Sequence, residues 1–145
     1  MGAVSELTFE EWIDTVPKRM KSDPLWQSIY YRKGMYLYDL VWHDCELLRR
    51  DFRGREIANQ LIRSTGSICA NMEEAFGRGV GTADFVRILR ISLGETRESK
   101  GWYFRSRYIL PESLINKRID LVSQIIALLV NNINQHQMRL DSSKS

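Results

Sequence analysis

The sequence predicts an all-α protein: an antiparallel up-down-up-down four-helix bundle preceded by a short N-terminal helical appendage. Three observations lead there. Proline occurs only at positions 17, 24 and 111, so the long stretch between 24 and 111 has no residue that lacks a backbone donor. Apolar residues recur at spacings of three and four along four long segments, the period of a helix with a buried face. No run alternates apolar and polar residues between turn signals, as a half-buried strand would. With 145 residues, 43% hydrophobic and 27% charged, the chain can bury one core without disulfides or metal.

The appendage covers residues 1–22. Thr8-Phe-Glu-Glu11 reads as a capping box, with Thr8 at N-cap and Glu11 at N3. It opens a short helix from about Phe9 to Met20, which Pro17 bends or ends. Phe9, Trp12, Ile13 and Val16 form an apolar edge that can dock on the bundle.

Residues 23–137 form the bundle. Its first helix opens at Asp23-Pro24, an acidic cap followed by proline at the first helical position, and runs to about Arg50. Leu37, Val41, Cys45 and Leu48 make its stripe, and Tyr30, Tyr31, Tyr36, Tyr38 and Trp42 widen the apolar surface beyond one face. The second helix, about Arg53 to Phe76, carries Ile57, Leu61, Ile68, Met72 and Ala75. The small residues Ser64-Thr-Gly-Ser67 in its middle would let another helix approach closely. Gly77-Arg-Gly-Val-Gly81 is the clearest break in the chain, and Thr82 caps a third helix over about residues 83–108. Its stripe is Phe85, Leu89, Ser92, Thr96, Ser99 and Tyr103. Pro111 starts the fourth helix, striped by Ile115, Ile119, Val122, Ile126, Leu129 and Ile133, which ends near Gln135 or His136. A second row of Leu114, Leu121, Ile125 and Leu128 gives that helix two apolar faces. Residues 138–145 read as a polar, disordered tail. The surplus apolar surface on the first and fourth helices predicts a homo-oligomer.

The function classes narrow from the same residues. Two cysteines, Cys45 and Cys69, sit in helical patterns without a CxxC partner and read as free thiols in a reducing compartment, so the expected location is cytoplasmic. No apolar run near the start reads as a signal peptide, and none is long enough to cross a bilayer. His43, Asp44 and Cys45 are adjacent and point to different faces of a helix, so they do not make a metal site. The Glu-x-x-His repeats of a di-iron bundle do not occur. Gly77–Gly81 lacks the lysine ending and preceding strand of a phosphate loop. No nucleophile stands at helical spacing from a base. The sequence therefore implies no catalytic residue, no metal and no cofactor.

Charge points elsewhere. The net charge is +3, but residues 1–29 hold three basic and five acidic side chains, so the remaining chain carries +5. Arg49, Arg50, Arg53 and Arg55 cluster at the junction of the first two bundle helices. Arg105 and Arg107 end the third, close to Lys117 and Arg118 on the fourth. In an up-down-up-down bundle both junctions lie at one end, so these eight residues predict a basic rim for phosphate contact. Ser67, Asn71 and Glu74 share a helix face and read as a hydrogen-bonded network that fixes helix register.

Several segments also resemble a known family. Asn59-Gln-Leu-Ile-Arg63, Ser67-Ile-Cys-Ala-Asn71, Glu74-Ala-Phe-Gly-Arg78, Asp84-Phe-Val-Arg-Ile-Leu89, Leu93-Gly94 and Glu98 are similar to the motifs of 23S rRNA intervening-sequence proteins, also labelled S23 ribosomal proteins. Those read Q-[IL]-R-R-x-x-x-S-I-x-x-N-I-x-E-G-x-G-R, then E-F-x-x-F-L-x-I-A-x-G-S-x-x-E. The resemblance spans roughly residues 30–135. Cys69 stands where the family often has proline, Ala75 is an extra residue after Glu74, and residues 1–29 lie outside the usual pattern. The resemblance implies a four-helix bundle that assembles as a ring-like homo-oligomer, a pentamer. More distantly, it implies kinship with accessory proteins of retroelement reverse transcriptases, basic bundles that bind nucleic acid and the polymerase. It lends no catalytic residue. The expectation is a non-catalytic, homo-oligomeric bundle that binds RNA or DNA, structured RNA first, through its arginine rim. The alternative is a protein-interaction scaffold, such as an accessory subunit of a polymerase, with no direct nucleic-acid role.

Overall fold

The chain folds as six α-helices and two short 3-10 turns in the computed structural model, which describes residues 7–144. Two short helices, α1 (Phe9–Ile13) and α2 (Lys18–Lys21), precede the four long ones, α3 (Ile29–Leu48), α4 (Phe52–Gly77), α5 (Ala83–Arg105) and α6 (Glu112–Ser142). Each long helix packs against its neighbours in sequence, and α6 closes on α3, giving the up-down-up-down bundle.

The N-terminal segment explains much of the surplus aromatic surface. Both arms of the Thr8–Glu11 capping box form, at 3.0 and 3.1 Å. Pro17 separates α1 from α2, because its ring cannot continue the helix. Trp12 is buried, and its indole Nε1 donates to Asp39 on α3 at 2.8 Å. Phe9 and Trp12 lie 5.5 and 5.4 Å from the Tyr36 ring, and Trp12 reaches Trp26 at 6.2 Å. The second apolar face of the first bundle helix is thus covered in good part from within the chain. That part of the expected oligomer surface needs no partner subunit.

Asp23 caps as expected, accepting from the Leu25 backbone N–H at 2.9 Å. The turn it opens is a 3-10 segment, Pro24–Gln27, and the α-helix restarts at Ile29 instead of running unbroken from Pro24. Leu25 and Trp26 are buried there, which fixes the chain in the tighter turn.

The predicted stripes meet in the centre. Leu37, Val41, Leu48, Leu61, Ile68, Met72, Phe85, Leu89, Val122 and Leu129 are fully buried. Each large one contributes about 1.5–3 kcal/mol of apolar burial. The α4–α5 seam is the closest. Ser64, Thr65, Ser92, Thr96 and Ser99 are all fully buried along it. The Ser92 hydroxyl donates across to the Ile68 carbonyl at 2.8 Å, and Ser99 meets Ser64 at 2.8 Å. A hydroxyl reaching a neighbouring helix's backbone requires the close approach that small residues permit.

The polar network expected at Ser67, Asn71 and Glu74 is replaced by this serine seam. Those three stand beside the seam, not in it. Asn71 Nδ2 donates only within its own helix, to the Ser67 carbonyl and hydroxyl at 2.8 and 3.0 Å. Glu74 is exposed and pairs with Arg78 at 2.9 Å. Among the described residues, Ser67 and Asn71 make no bond to another helix, and Glu74 reaches α5 only through Arg78, which also pairs with Asp84.

Gly79 and Gly81 take φ of +104° and +88°, which a side chain would strain, and so make the α4–α5 turn. Thr82 then caps α5, accepting from the Phe85 N–H at 3.1 Å. At the far end, the tail expected to be disordered over 138–145 is instead helical to Ser142. No proline or glycine interrupts it, Leu140 packs on the core, and Gln137 donates to Asp141 at 3.0 Å one turn on.

Candidate nucleic-acid interface

The candidate site is built where α3 passes to α4 and α5 to α6. Asp51 caps α4, accepting from the Arg53 N–H at 2.8 Å and from the Arg53 guanidinium at 2.9 and 3.0 Å. Those hydrogen bonds hold the Asp51 carboxyl well below the usual carboxylate range. Arg49 pairs with Glu46 at 2.9 Å. Arg50 and Arg55 are exposed and have no carboxylate partner among the described residues.

The second junction is a 3-10 turn, Ser106–Tyr108. Ser106 is buried and organises it. Its hydroxyl donates to the Trp102 carbonyl at 2.8 Å, and its carbonyl accepts from the Ile109 and Leu110 N–H groups at 3.0 and 2.9 Å. The two junctions touch at Gly54. A Cβ there would stand 1.9 Å from the Leu48 carbonyl oxygen and 2.9 Å from Ile109 Cδ1. Only glycine lets the start of α4 sit this tightly between the end of α3 and the α5–α6 connection. Arg53 and Arg55 flank that contact from one side, Arg107 and Tyr108 from the other.

Exposed rings share this end. Phe52 is 68% exposed, Phe104 54% and Tyr108 83%. Each carries a guanidinium. Arg53 lies over Phe52 at 5.6 Å, and Arg107 lies over both Phe104 at 4.2 Å and Tyr108 at 4.4 Å. Arg107 also donates to the Phe104 carbonyl at 3.1 Å and to the Tyr108 hydroxyl at 2.9 Å. Arg105 covers Trp102 at 4.6 Å. Stacking of this kind fixes the Arg105 and Arg107 cations without neutralising them, whereas Arg53 is also paired with Asp51.

Of the eight residues predicted for the rim, the structure brings six together: Arg49, Arg50, Arg53, Arg55, Arg105 and Arg107. Lys117 is exposed but faces sideways, lining a cleft of about 370 Å³ with Leu7, Phe9, Lys33 and Gln124. Arg118 is a correction: it is buried. Its Nε and Nη2 donate to the two Asp44 oxygens at 2.7 and 3.1 Å, and Tyr103 donates to the same carboxylate at 2.7 Å. Burial alone would lower the Arg118 pKa, but its hydrogen bonds to Asp44 and the Asp44 charge outweigh that and raise it. Burial first, and Asp44 second, push the Tyr103 phenol well above its ordinary value. The cluster is a buried structural ion pair and offers no cation to a phosphate. Phe52, Phe104 and Tyr108 were missed by sequence reasoning, although all three stand off the core stripes beside an arginine.

Other chemistry is sparse. Burial, with Asp44 and Glu46 adding, pushes the Cys45 thiol up to about 11, which keeps it protonated and unreactive at neutral pH. Among the described residues no three His, Cys, Asp or Glu side chains gather to hold a metal. No described helix is long and apolar enough to cross a membrane.

The fold and this end define a small helical bundle with an arginine–aromatic surface at one pole. The 23S rRNA-intervening sequence protein family matches residues 27–131, and the chain belongs to that family. A protein with unknown function of the S23 ribosomal protein family from Bacteroides thetaiotaomicron has a similar crystal structure. It is 26% identical, with a TM-score of 0.61 over 72% of this chain and 98% of that one. No curated protein matches. The matched region begins where the N-terminal helices end, so α1 and α2 lie outside it.

Proposed function

We propose that the protein is a non-catalytic RNA-binding module that uses the α3–α4 and α5–α6 junctions as its contact surface. One observation supports this reading: the α3–α4 and α5–α6 junctions, which between them hold six arginines, touch at one end of the bundle where Gly54 packs on Ile109. Two of the six are paired, Arg49 with Glu46 and Arg53 with Asp51, and Arg50, Arg55, Arg105 and Arg107 have no carboxylate partner among the described residues. Arginine presents a planar fork suited to phosphate, and association with a polyanion releases counterions. The family is named for an intervening sequence of 23S rRNA, which makes that RNA the first ligand to try.

Assembly from several copies belongs to the same proposal. Trp42 is 64% exposed on α3, with Tyr38 at 6.5 Å, on a face the N-terminal segment leaves open. A second copy covering that face would repeat the arginine surface and raise avidity.

The test is a fluorescence-anisotropy titration of the protein with an RNA stem-loop and a matched DNA duplex at about 50 and 200 mM salt. Saturable binding at the higher salt with preference for RNA is expected. Binding that disappears at that salt, or is unchanged when Arg49, Arg50, Arg53 and Arg55 are all changed to Gln, overturns the assignment.

A further inference from the structure

The arginine end carries more aromatic surface than phosphate contact requires. Phosphates need cations alone, yet Phe52, Phe104 and Tyr108 are held out in water, each at more than half exposure. Leaving a large ring exposed costs the burial it would gain in the core. Two of the rings are also fixed in place. Arg107 sits between Phe104 and Tyr108, and its two hydrogen bonds to the Phe104 carbonyl and the Tyr108 hydroxyl hold the three groups as one stack. The guanidinium covers one face of the Tyr108 ring. At 83% exposure the other face is open.

Duplex RNA cannot use such a ring, because its bases are already stacked and its deep groove excludes side chains. Unpaired bases can, and their phosphates then fall among the neighbouring guanidiniums. A protein partner fits less well, since the cores of protein interfaces are depleted in charge and every ring here has a guanidinium on it.

We propose that this end of the bundle recognises unpaired RNA nucleotides, with bases stacking on Tyr108 and Phe52 while Arg50, Arg55 and Arg107 hold the adjoining phosphates. This rests on the RNA-binding reading above and narrows it from structured RNA to the loops and bulges within it. Specificity for RNA shape then comes from where single-stranded residues emerge from a stem. The rings tolerate any base, because every base has a stacking face.

The experiment compares the full-length protein on two labelled RNAs: a hairpin with a loop of about eight unpaired nucleotides, and its stem alone as a blunt duplex. A 2-aminopurine in the loop reports stacking by quenching. The expected result is about tenfold tighter binding to the hairpin, with quenching on complex formation. Tyr108→Leu and Phe52→Leu should each weaken hairpin binding by about tenfold and leave duplex binding unchanged, while Tyr108→Phe retains the ring and the affinity. Both positions are exposed, so the variants keep the fold, which circular dichroism verifies. Equal binding of hairpin and duplex, insensitive to the ring substitutions, overturns this inference and leaves the RNA-binding reading standing. Absence of binding to either RNA overturns both.

Discussion

The two poles of the bundle differ in how many of their arginines are paired with carboxylates. At the α4–α5 turn, Arg78 bridges Glu74 and Asp84 at 2.9 and 3.0 Å, and Arg87 reaches Asp84 at 2.7 Å. These cations are spent on the two carboxylates that flank the turn. The other basic residues near that pole include Arg19 on α2, in an N-terminal stretch with more acidic than basic side chains, and the exposed Arg139 on α6, close to His136. At the opposite pole, Arg50, Arg55, Arg105 and Arg107 have no carboxylate partner among the described residues, and two of them are stacked on rings. The number of arginines near a turn does not make a binding surface. What matters is whether the local sequence also supplies acids, and whether the cations are held out by something uncharged.

Arg118 sharpens the contrast, since it lies near the basic pole yet is wholly committed to Asp44. Arg118→Ala should give the largest effect, about 3–5 kcal/mol of lost stability in a denaturant titration, because it leaves a buried carboxylate unpaired. Replacing both partners together, Asp44→Leu with Arg118→Met, should recover most of that loss. If Arg118→Ala instead spared stability and weakened RNA binding, Arg118 would belong to the surface after all.

Gly54→Ala comes next. Its Cβ would collide with the Leu48 carbonyl, so the start of α4 must shift, at a cost of about 1–3 kcal/mol. The two arginine clusters should separate, and RNA affinity should fall more than the stability change explains. Unaltered affinity would mean that the clusters act independently.

Smaller is the effect of Arg→Gln at 49, 50, 53 and 55 together. Affinity should fall by at least about tenfold, and the slope of log affinity against log salt should flatten by about 3. Arg78→Gln with Arg87→Gln should change neither. Equal losses from the two sets would erase the distinction between the poles.

The smallest effect is a pH dependence at the α4–α5 pole. His136 packs 4.9 Å from Phe85, and burial first, then Arg139, lower its pKa from 6.5. A base with a lowered folded pKa binds its proton more readily when unfolded. Stability should therefore fall as pH drops below about 6.5 and level off beneath the folded value. Thermal melts of His136→Gln should lack that component.

Most of the fold was legible because helical periodicity records burial directly. Leu37, Leu61, Leu89 and Leu129 fall on their stripes and are fully buried. The capping residues Thr8, Asp23 and Thr82 cap as the sequence indicates. The site was only partly legible, for two reasons. Charge was counted without regard to helix face. Arg118 lies three residues after Ile115 and four before Val122, and Asp44 three after Val41 and four before Leu48, so each sits on a core stripe. Two opposite charges on facing core stripes were the available sign of a buried pair. The second reason is that aromatic residues were read only where they extend a helical stripe. Tyr36 is half-buried under Phe9 and Trp12, but Phe52 and Tyr108 lie at helix ends, off every stripe. Ser67, Asn71 and Glu74 failed by a small rotation. The buried hydroxyl seam runs through Ser64 on the neighbouring face of the same helix.

The most direct test of the contact surface is ultraviolet crosslinking of the full-length protein to an RNA stem-loop, with the modified peptides mapped by mass spectrometry. Crosslinks concentrated at Phe52 and Tyr108 are predicted. Crosslinks at the α4–α5 turn or on α1 and α2, with none at the arginine pole, would contradict the account.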